Sequence, residues 1–157
     1  CGFLFKDKEV LPHIDGELVK FYKIGVKEIQ NIKNGADFID ENGRLVPNSR
    51  LITPPTPPKS YAYCSDTAYT ERIIPIIEGV DTLFHEATFA EAERHRCKAT
   101  LHSTASDAAH IAKMANVKQL IIGHYSARYA DLNPLLDEAQ AIFPNTKLST
   151  DGSKFSW

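Results

Sequence analysis

The chain has 157 residues, a net charge of −2 and a hydrophobic share of 43%. This length allows one domain with a sizeable core, and the charge gives no general indication of nucleic-acid binding. No apolar run approaches the roughly 20 residues that span a bilayer, so we expect no membrane span, and we see no signal peptide. Cys1, Cys64 and Cys97 form no paired motif, which favours a reducing cytoplasm.

The first part of the chain, residues 1–59, predicts short and mixed elements. An alternating stretch at 3–10 predicts a strand, and Gly16–Ile24 and Val26–Lys33 predict short helices separated by Gly25. Asn42-Gly43 between two short apolar runs predicts a hairpin. The sequence TPPTPPKS that follows, at 53–60, is typical of a rigid connector.

From Ser60 onward, strands and helices alternate, which indicates a layered α/β arrangement. The predicted strands are 60–66, 80–87, 118–124 and 146–150, and the predicted helices are 67–79, 88–99, 102–117 and 133–143. In the third of these helices one side is made of small residues that permit close packing on a sheet: Ala105, Ala108, Ala109, Ala112 and Ala115.

Polar side chains follow three of the predicted strands. Asp66 ends the first strand, Glu86 ends the second, and His124 ends the third, while His102 begins a helix. Loops that leave the strands of an α/β sheet commonly form ligand sites. A carboxylate can bridge two metal ions and a neutral imidazole can complete a zinc shell, so this pattern predicts a metal site.

Each of these residues also has a purely structural interpretation. Asp66 could cap the next helix, and His102 with Ser103 could belong to an ordinary helix start. For His85 we favour a satisfied histidine in the core. The remaining histidines stand in helical or loop contexts without partners and predict surface residues: His13, His95 and His110.

The joint pattern also suggests proton transfer and anion binding. Glu86 could accept the ring N–H of His102 and fix its tautomer, which would make His102 a poised proton donor. Arg128, four residues after His124, could contact an anionic substrate oxygen through its forked donors.

Three segments in this order, SDT, FHEATFA and HSTASDAAHIAKMANVKQLIIGHYSARY, resemble the C-terminal half of the ribonuclease Z family. These are tRNA 3′-processing endonucleases of the metallo-β-lactamase superfamily, and HEAT and HST distinguish the family within it. The resemblance is close over 60–143 and looser back to residue 1. It implies an α/β fold of the metallo-β-lactamase type, a four-layer αβ/βα sandwich of which the C-terminal half is present.

Carried over by position, Asp66 resembles the carboxylate that bridges two zinc ions, and His124 resembles the last histidine ligand. Glu86 and His102 resemble the pair that protonates the leaving oxygen, and Arg128 lies in the segment that meets the phosphate. The resemblance implies zinc as cofactor, with the attacking hydroxide provided by the metal, precursor tRNA as substrate, and a cytoplasmic homodimer.

The chain also departs from this family's pattern. The main metal motif, HxHxDH, is absent from the sequence. We therefore expect the remaining zinc ligands in an N-terminal half of the same protein, and we expect this chain alone to be inactive. The family's tRNA-binding arm carries a Gly-Pro motif, but the corresponding region here reads YKIGVKEIQNIKNG. Alternative functions are a phosphodiesterase or arylsulfatase of the same superfamily, or a non-catalytic fragment that binds no metal.

Overall fold

The computed structural model describes residues 2–156, which form two compact units. One unit contains 2–7 together with 59–156, and the other contains 8–58. The strands are β1 (Gly2–Lys6), β2 (His13–Ile14), β3 (Phe38–Ile39), β4 (Leu45–Val46), β5 (Ile52–Thr53), β6 (Ser60–Cys64), β7 (Thr82–Glu86), β8 (Gln119–Gly123) and β9 (Thr146–Leu148). The helices are α1 (Gly16–Phe21), α2 (Val26–Lys33), α3 (Asn48–Leu51), α4 (Ile74–Ile77), α5 (Arg94–Thr100), α6 (Ala105–Met114) and α7 (Asn133–Gln140).

The larger unit is built on a five-stranded sheet in the order β1-β6-β7-β8-β9. Strand β1 is antiparallel to β6, and the pairs from β6 to β9 are parallel. The parallel pairs are connected through helices, as parallel strands require. Consequently the carboxyl ends of β6, β7 and β8 meet at one edge of the sheet. The predicted layered α/β arrangement is confirmed.

Helices α6 and α7 cover one face of this sheet and form the core with it. The predicted alanine side of α6 is fully buried: Ala105, Ala108, Ala109, Ala112 and Ala115. These small side chains pack against Leu83, Leu120 and Ile122, which project from the central strands. Burial of this continuous apolar surface is the main stabilising contribution to the unit.

The opposite face of the sheet is aromatic. Phe3 and Phe5 on β1 are 59% and 57% exposed, although both side chains are large and apolar. Next to them, Tyr63 on β6 stacks on Phe84 of β7 with ring centroids 4.9 Å apart. Large apolar side chains therefore remain exposed at the β1 side of this face.

The smaller unit has a core of its own, composed of Ile14, Ile24, Ile32, Val46 and Leu51. The predicted hairpin is confirmed, because β3 and β4 pair in antiparallel register. The Asp40 side chain accepts hydrogen bonds from the N–H groups of Asn42 and Arg44 at 2.9 Å. Gly43 has φ of +78°, a conformation that glycine adopts without strain.

Two predicted helices differ from the observed ones near the sheet edge. The predicted helix 67–79 is reduced to a 3-10 turn, Glu71–Ile73, and the short α4. The predicted helix 88–99 is observed as a 3-10 turn, Glu91–Glu93, followed by α5 from Arg94, while Phe89 forms a bridge with Thr104. Helix α6 begins at Ala105, where Thr104 and Asp107 form a reciprocal capping box.

No helix within residues 2–156 is long and apolar enough to cross a membrane. Cys64 and Cys97 are free thiols, and Cys1 lies outside the described residues.

Candidate active site

The edge formed by the carboxyl ends of the parallel strands gathers the polar residues that the sequence singles out. Glu86 is the last residue of β7, where it pairs with Gly123 of β8. His124 directly follows β8, and Asp66 follows β6 by two residues. This placement brings residues far apart in sequence into contact: the Nε2 atom of His124 lies 3.0 Å from the Oδ1 atom of Asp66.

Both of these residues have left-handed backbone conformations. Asp66 has φ of +50° and His124 has φ of +60°. Such conformations are uncommon for residues other than glycine and concentrate at functional sites, where the surrounding structure enforces them. The loops therefore turn sharply at both positions and direct the two side chains towards each other.

The Glu86 carboxylate is fully buried and accepts four hydrogen bonds. Its Oε1 atom accepts from the Thr67 N–H at 2.6 Å and from the His102 ring at 2.9 Å. Its Oε2 atom accepts from the Thr88 hydroxyl at 2.6 Å and from the Ser103 N–H at 3.1 Å. Burial by itself raises the pKa of Glu86, but these hydrogen bonds outweigh burial and hold the pKa below its ordinary value.

His102 lies in the loop between α5 and α6, and its Nδ1 atom bonds to Glu86. The ring centroids of His102 and His124 are 5.1 Å apart. Because Nδ1 is engaged by the carboxylate, Nε2 is the ring atom available to the site. The structure thus brings Asp66, Glu86, His102 and His124 together, as the strand ends predict.

The same residues are chemically suited to a metal ion. Within residues 2–156, ligand atoms of Asp66, His102 and His124 lie within 4.8 Å of one another. One carboxylate oxygen and two imidazole nitrogens form a donor set that zinc accepts. Glu86 bonded to His102 also matches the carboxylate–histidine arrangement that orients metal-binding imidazoles.

The structure decides between several alternatives that the sequence leaves open. The helix-cap interpretation of Asp66 is wrong, because the next helical turn begins at Glu71 and is capped by Thr70. His102 is likewise outside the start of α6, which Thr104 caps. His85 is buried in the core as expected, with Nδ1 2.7 Å from the Glu86 carbonyl, although Nε2 has no hydrogen-bond partner. The remaining histidines, His13, His95 and His110, are exposed as predicted.

Arg128 lies near the site but is engaged by other residues. Its Nη1 atom bonds to Glu93 at 2.9 Å and its Nε atom bonds to Ser126 at 2.9 Å. The guanidinium lies 5.4 Å from the ring centroid of Phe89, and that ring in turn contacts His102 edge-on. Contact between Arg128 and a substrate anion remains a prediction.

Three residues of the network carried no assigned role in the sequence interpretation: Thr67, Thr88 and Ser103. Thr67 and Ser103 contribute backbone N–H groups to Glu86, which no side-chain pattern can reveal. Thr88 contributes its hydroxyl group. Its position two residues after Glu86 within FHEAT is the one signal that points to it.

Comparison with known proteins places this arrangement in a class. No protein-family model matches the chain. The structure resembles the metallo-β-lactamase fold protein YhfI of Bacillus subtilis, with a TM-score of 0.56 and 24% identity over 60% of this chain and 39% of that one. It also resembles the short form of human tRNase Z, with a TM-score of 0.50 and 23% identity over 71% and 36% of the two chains. The fold is that of the metallo-β-lactamase class.

A closer similarity exists at the level of sequence. The chain is 55% identical to the ribonuclease Z of Parabacteroides distasonis over 156 residues, which is 99% of this chain and 51% of that protein. The chain therefore spans about half the length of the curated relatives it matches. Over that span it is homologous to ribonuclease Z, which confirms the resemblance inferred from SDT, FHEATFA and the HST segment.

Proposed function

We propose that this chain is the C-terminal half of a zinc-dependent endoribonuclease that removes the 3′ trailer from precursor tRNA. The observation that carries the proposal is the 2.9 Å contact between Glu86 and His102 beside Asp66 and His124. Similarity to ribonuclease Z over nearly the whole chain supports the same substrate class. The products would be a tRNA with a free 3′-hydroxyl and a trailer with a 5′-phosphate.

In this proposal the chain supplies two metal ligands and a proton donor. Asp66 and His124 would hold zinc, with Asp66 as the bridging carboxylate. When bound, zinc activates the attacking water and stabilises the negative charge that develops at phosphorus. His102, oriented through Nδ1 by Glu86, would present Nε2 to the departing 3′ oxygen and protonate it.

The proposal assigns the remaining ligands to an N-terminal half of the same protein. Two features support this assignment: the chain covers 51% of its curated relative, and one face of its sheet exposes Phe3 and Phe5. A second layered sheet packed on that face would complete a four-layer sandwich and bury the aromatic surface. The wider proposal includes a homodimer in the cytoplasm, with a variant tRNA-binding arm region within residues 1–59.

The proposal is tested with the intact protein and a precursor tRNA. His102→Ala should lower the turnover number by roughly 100- to 10,000-fold, the range expected on loss of a general acid. A substrate with a bridging sulfur in place of the 3′ oxygen needs less protonation of the leaving group. It should therefore accelerate the His102→Ala variant much more than the wild type.

A matched experiment separates proton transfer from metal binding. Asp66→Ala should reduce zinc occupancy and turnover together, and the sulfur substrate should give no selective rescue. Equal rescue of both variants would contradict the separate roles. Unchanged zinc occupancy in Asp66→Ala would contradict the metal assignment.

The alternative that the chain alone is a non-catalytic fragment has one observation in its favour. Within residues 2–156 the structure offers a single three-residue group able to hold a metal, and only Asp66 and His124 of it are assigned as ligands. The chain by itself is therefore proposed to bind zinc weakly and to leave precursor tRNA uncut. Robust cleavage of precursor tRNA by the purified chain would refute the proposal that the chain alone is inactive. Turnover of small phosphodiesters but not of tRNA would favour the phosphodiesterase alternative.

A further inference from the structure

We propose that Thr88 is a positioning residue that connects the Glu86 carboxylate to the ring of His124 and fixes the tautomer of that ring. The Thr88 hydroxyl lies 2.6 Å from Glu86 Oε2 and 2.9 Å from His124 Nδ1. Through this contact a single buried carboxylate would orient both His102 and His124. The inference deepens the proposed function and rests on His124 as a metal ligand.

The direction of the hydrogen bonds follows from counting protons. Glu86 receives backbone N–H groups from Thr67 and Ser103, so its oxygens act as acceptors. The Thr88 hydroxyl has one proton, and its oxygen neighbours, Glu86 Oε2 at 2.6 Å and the His124 carbonyl at 2.9 Å, cannot donate one. Donation to Nδ1 would leave both of these oxygen contacts without a proton, so the proton goes to an oxygen, and the shorter, charge-assisted bond to the carboxylate is the stronger one.

The Thr88 oxygen is left as an acceptor towards the His124 ring. The 2.9 Å contact is then satisfied only when Nδ1 carries the proton and donates it to Thr88. In the neutral ring this leaves the lone pair on Nε2. The Asp66 carboxylate, 3.0 Å from Nε2, can only accept, so without a metal it favours Nε2–H and competes with Thr88 for the tautomer. A metal ligand must present such a lone pair, and hydrogen bonding of the other ring nitrogen is the usual means of fixing it.

Thr88 also holds the backbone of the loop that carries His124. The Ser126 N–H donates to the Thr88 carbonyl at 3.0 Å. The neighbouring Ala87 N–H donates to the Gly123 carbonyl at 2.8 Å. The backbone on both sides of His124 is therefore hydrogen-bonded to the segment that follows β7. Thr88 thus constrains the position of His124 as well as its ring.

The first test measures the tautomer without any metal. The background is the metal-free intact protein with Asp66→Ala, which removes the acceptor that competes at Nε2. At a pH where the ring is neutral, two-bond ¹H–¹⁵N spectra distinguish Nδ1–H from Nε2–H, with the signals assigned by comparison with His124→Gln. This background should have Nδ1–H. Adding Thr88→Val, which keeps the shape but removes the hydroxyl, should shift His124 towards Nε2–H, and adding Thr88→Ser should retain Nδ1–H.

The second test measures affinity for Zn²⁺ alone. Thr88→Val should weaken binding roughly 10- to 100-fold, the usual effect of losing a group that orients a ligand, and Thr88→Ser should recover most of it. The matched control is Thr82→Val at the start of β7, because the Thr82 hydroxyl is buried without a hydrogen-bond partner among the described residues. Thr82→Val should change neither the tautomer of His124 nor the affinity for Zn²⁺.

The two tests separate this inference from the proposed metal site. The positioning role would be overturned if Thr88→Val changed neither the tautomer in the Asp66→Ala background nor the Zn²⁺ affinity of the protein with Asp66 intact. A tautomer change, together with no Zn²⁺ binding by the wild-type protein, would support the role of Thr88 while refuting the metal site.

Discussion

Replacement of Glu86 by glutamine probes the centre of the site, because one carboxylate accepts four hydrogen bonds there. A glutamine side chain offers one acceptor oxygen and one NH₂ group. If the oxygen takes the place of Oε1, it keeps the bonds from Thr67 and His102. The NH₂ group then faces the Thr88 hydroxyl and the Ser103 N–H. Thr88 can rotate and accept, but the Ser103 N–H cannot.

The magnitude follows from this arrangement. One buried backbone donor without an acceptor costs about 1–3 kcal/mol, and the bonds that remain lose their charge-assisted strength. We therefore expect Glu86→Gln to lower the free energy of unfolding by about 2–3 kcal/mol. For a protein of this size each kcal/mol shifts Tm by about 2–4 °C, so Tm should fall by roughly 4–12 °C.

The assay is thermal unfolding followed by circular dichroism at neutral pH. Glu71→Gln is the matched control, because the same chemical change there affects an exposed carboxylate that bonds only to Tyr69 among the contacts described. That control should stay within about 0.5 kcal/mol of wild type. Equal Tm values for the two variants would refute the reasoning.

Three further predictions concern pH, packing and backbone strain. The Lys118 ammonium and the Ser60 groups hold the pKa of Asp81 at about 2, below its usual 3.8. This carboxylate therefore stabilises the fold fully above about pH 4. The stabilisation is lost as the pH falls through about 2. Asp81→Asn should cost about 1 kcal/mol at pH 7, a value reduced for the exposure of Lys118, and much less at pH 2, where part of the carboxylate is already protonated in the folded protein. Urea midpoints measure both values, and a constant difference would contradict this. Gly123→Ala should cost about 1–3 kcal/mol, since the added Cβ would lie 2.6 Å from the Phe84 ring, and an unchanged Tm would show that the ring yields freely. Asp66→Gly should raise stability by about 0.5–1 kcal/mol, because φ is +50° there, while zinc affinity falls; a lower Tm would mean that the left-handed turn carries no strain.

The sheet and its functional edge could be predicted from the sequence because both depend on local patterns. Alternation of strands with helices after Ser60 predicted the layered arrangement, and the alanines of α6 predicted which side of that helix is buried. Polar residues at strand ends then indicated which edge would hold a site. The start of α6 was predicted less well, because the expected helix begins at 102, whereas the capping box of Thr104 and Asp107 starts it at Ala105.

The errors arose where contacts distant in sequence override local preference. The segment after Glu86 has helical composition, but Phe89 bridges to Thr104 and Thr88 bonds to His124, 36 residues away. These contacts keep both residues out of a helix. The pairing of Arg128 with Glu93, 35 residues apart, was hidden for the same reason. Sequence spacing does not encode which loops meet.

Folding requirements alone do not account for the residues at this edge of the sheet. Glycine would relieve the backbone at Asp66 and His124, whose φ values are +50° and +60°. A buried carboxylate such as Glu86 is costly unless every oxygen is satisfied, and an apolar group of similar shape commonly replaces buried charge without loss of stability. These departures from local preference lie within one connected network, since Glu86 reaches the Thr67 N–H next to Asp66 and reaches His124 through Thr88. Two left-handed backbone positions and a buried carboxylate within one connected network are explained by the chemistry of that network.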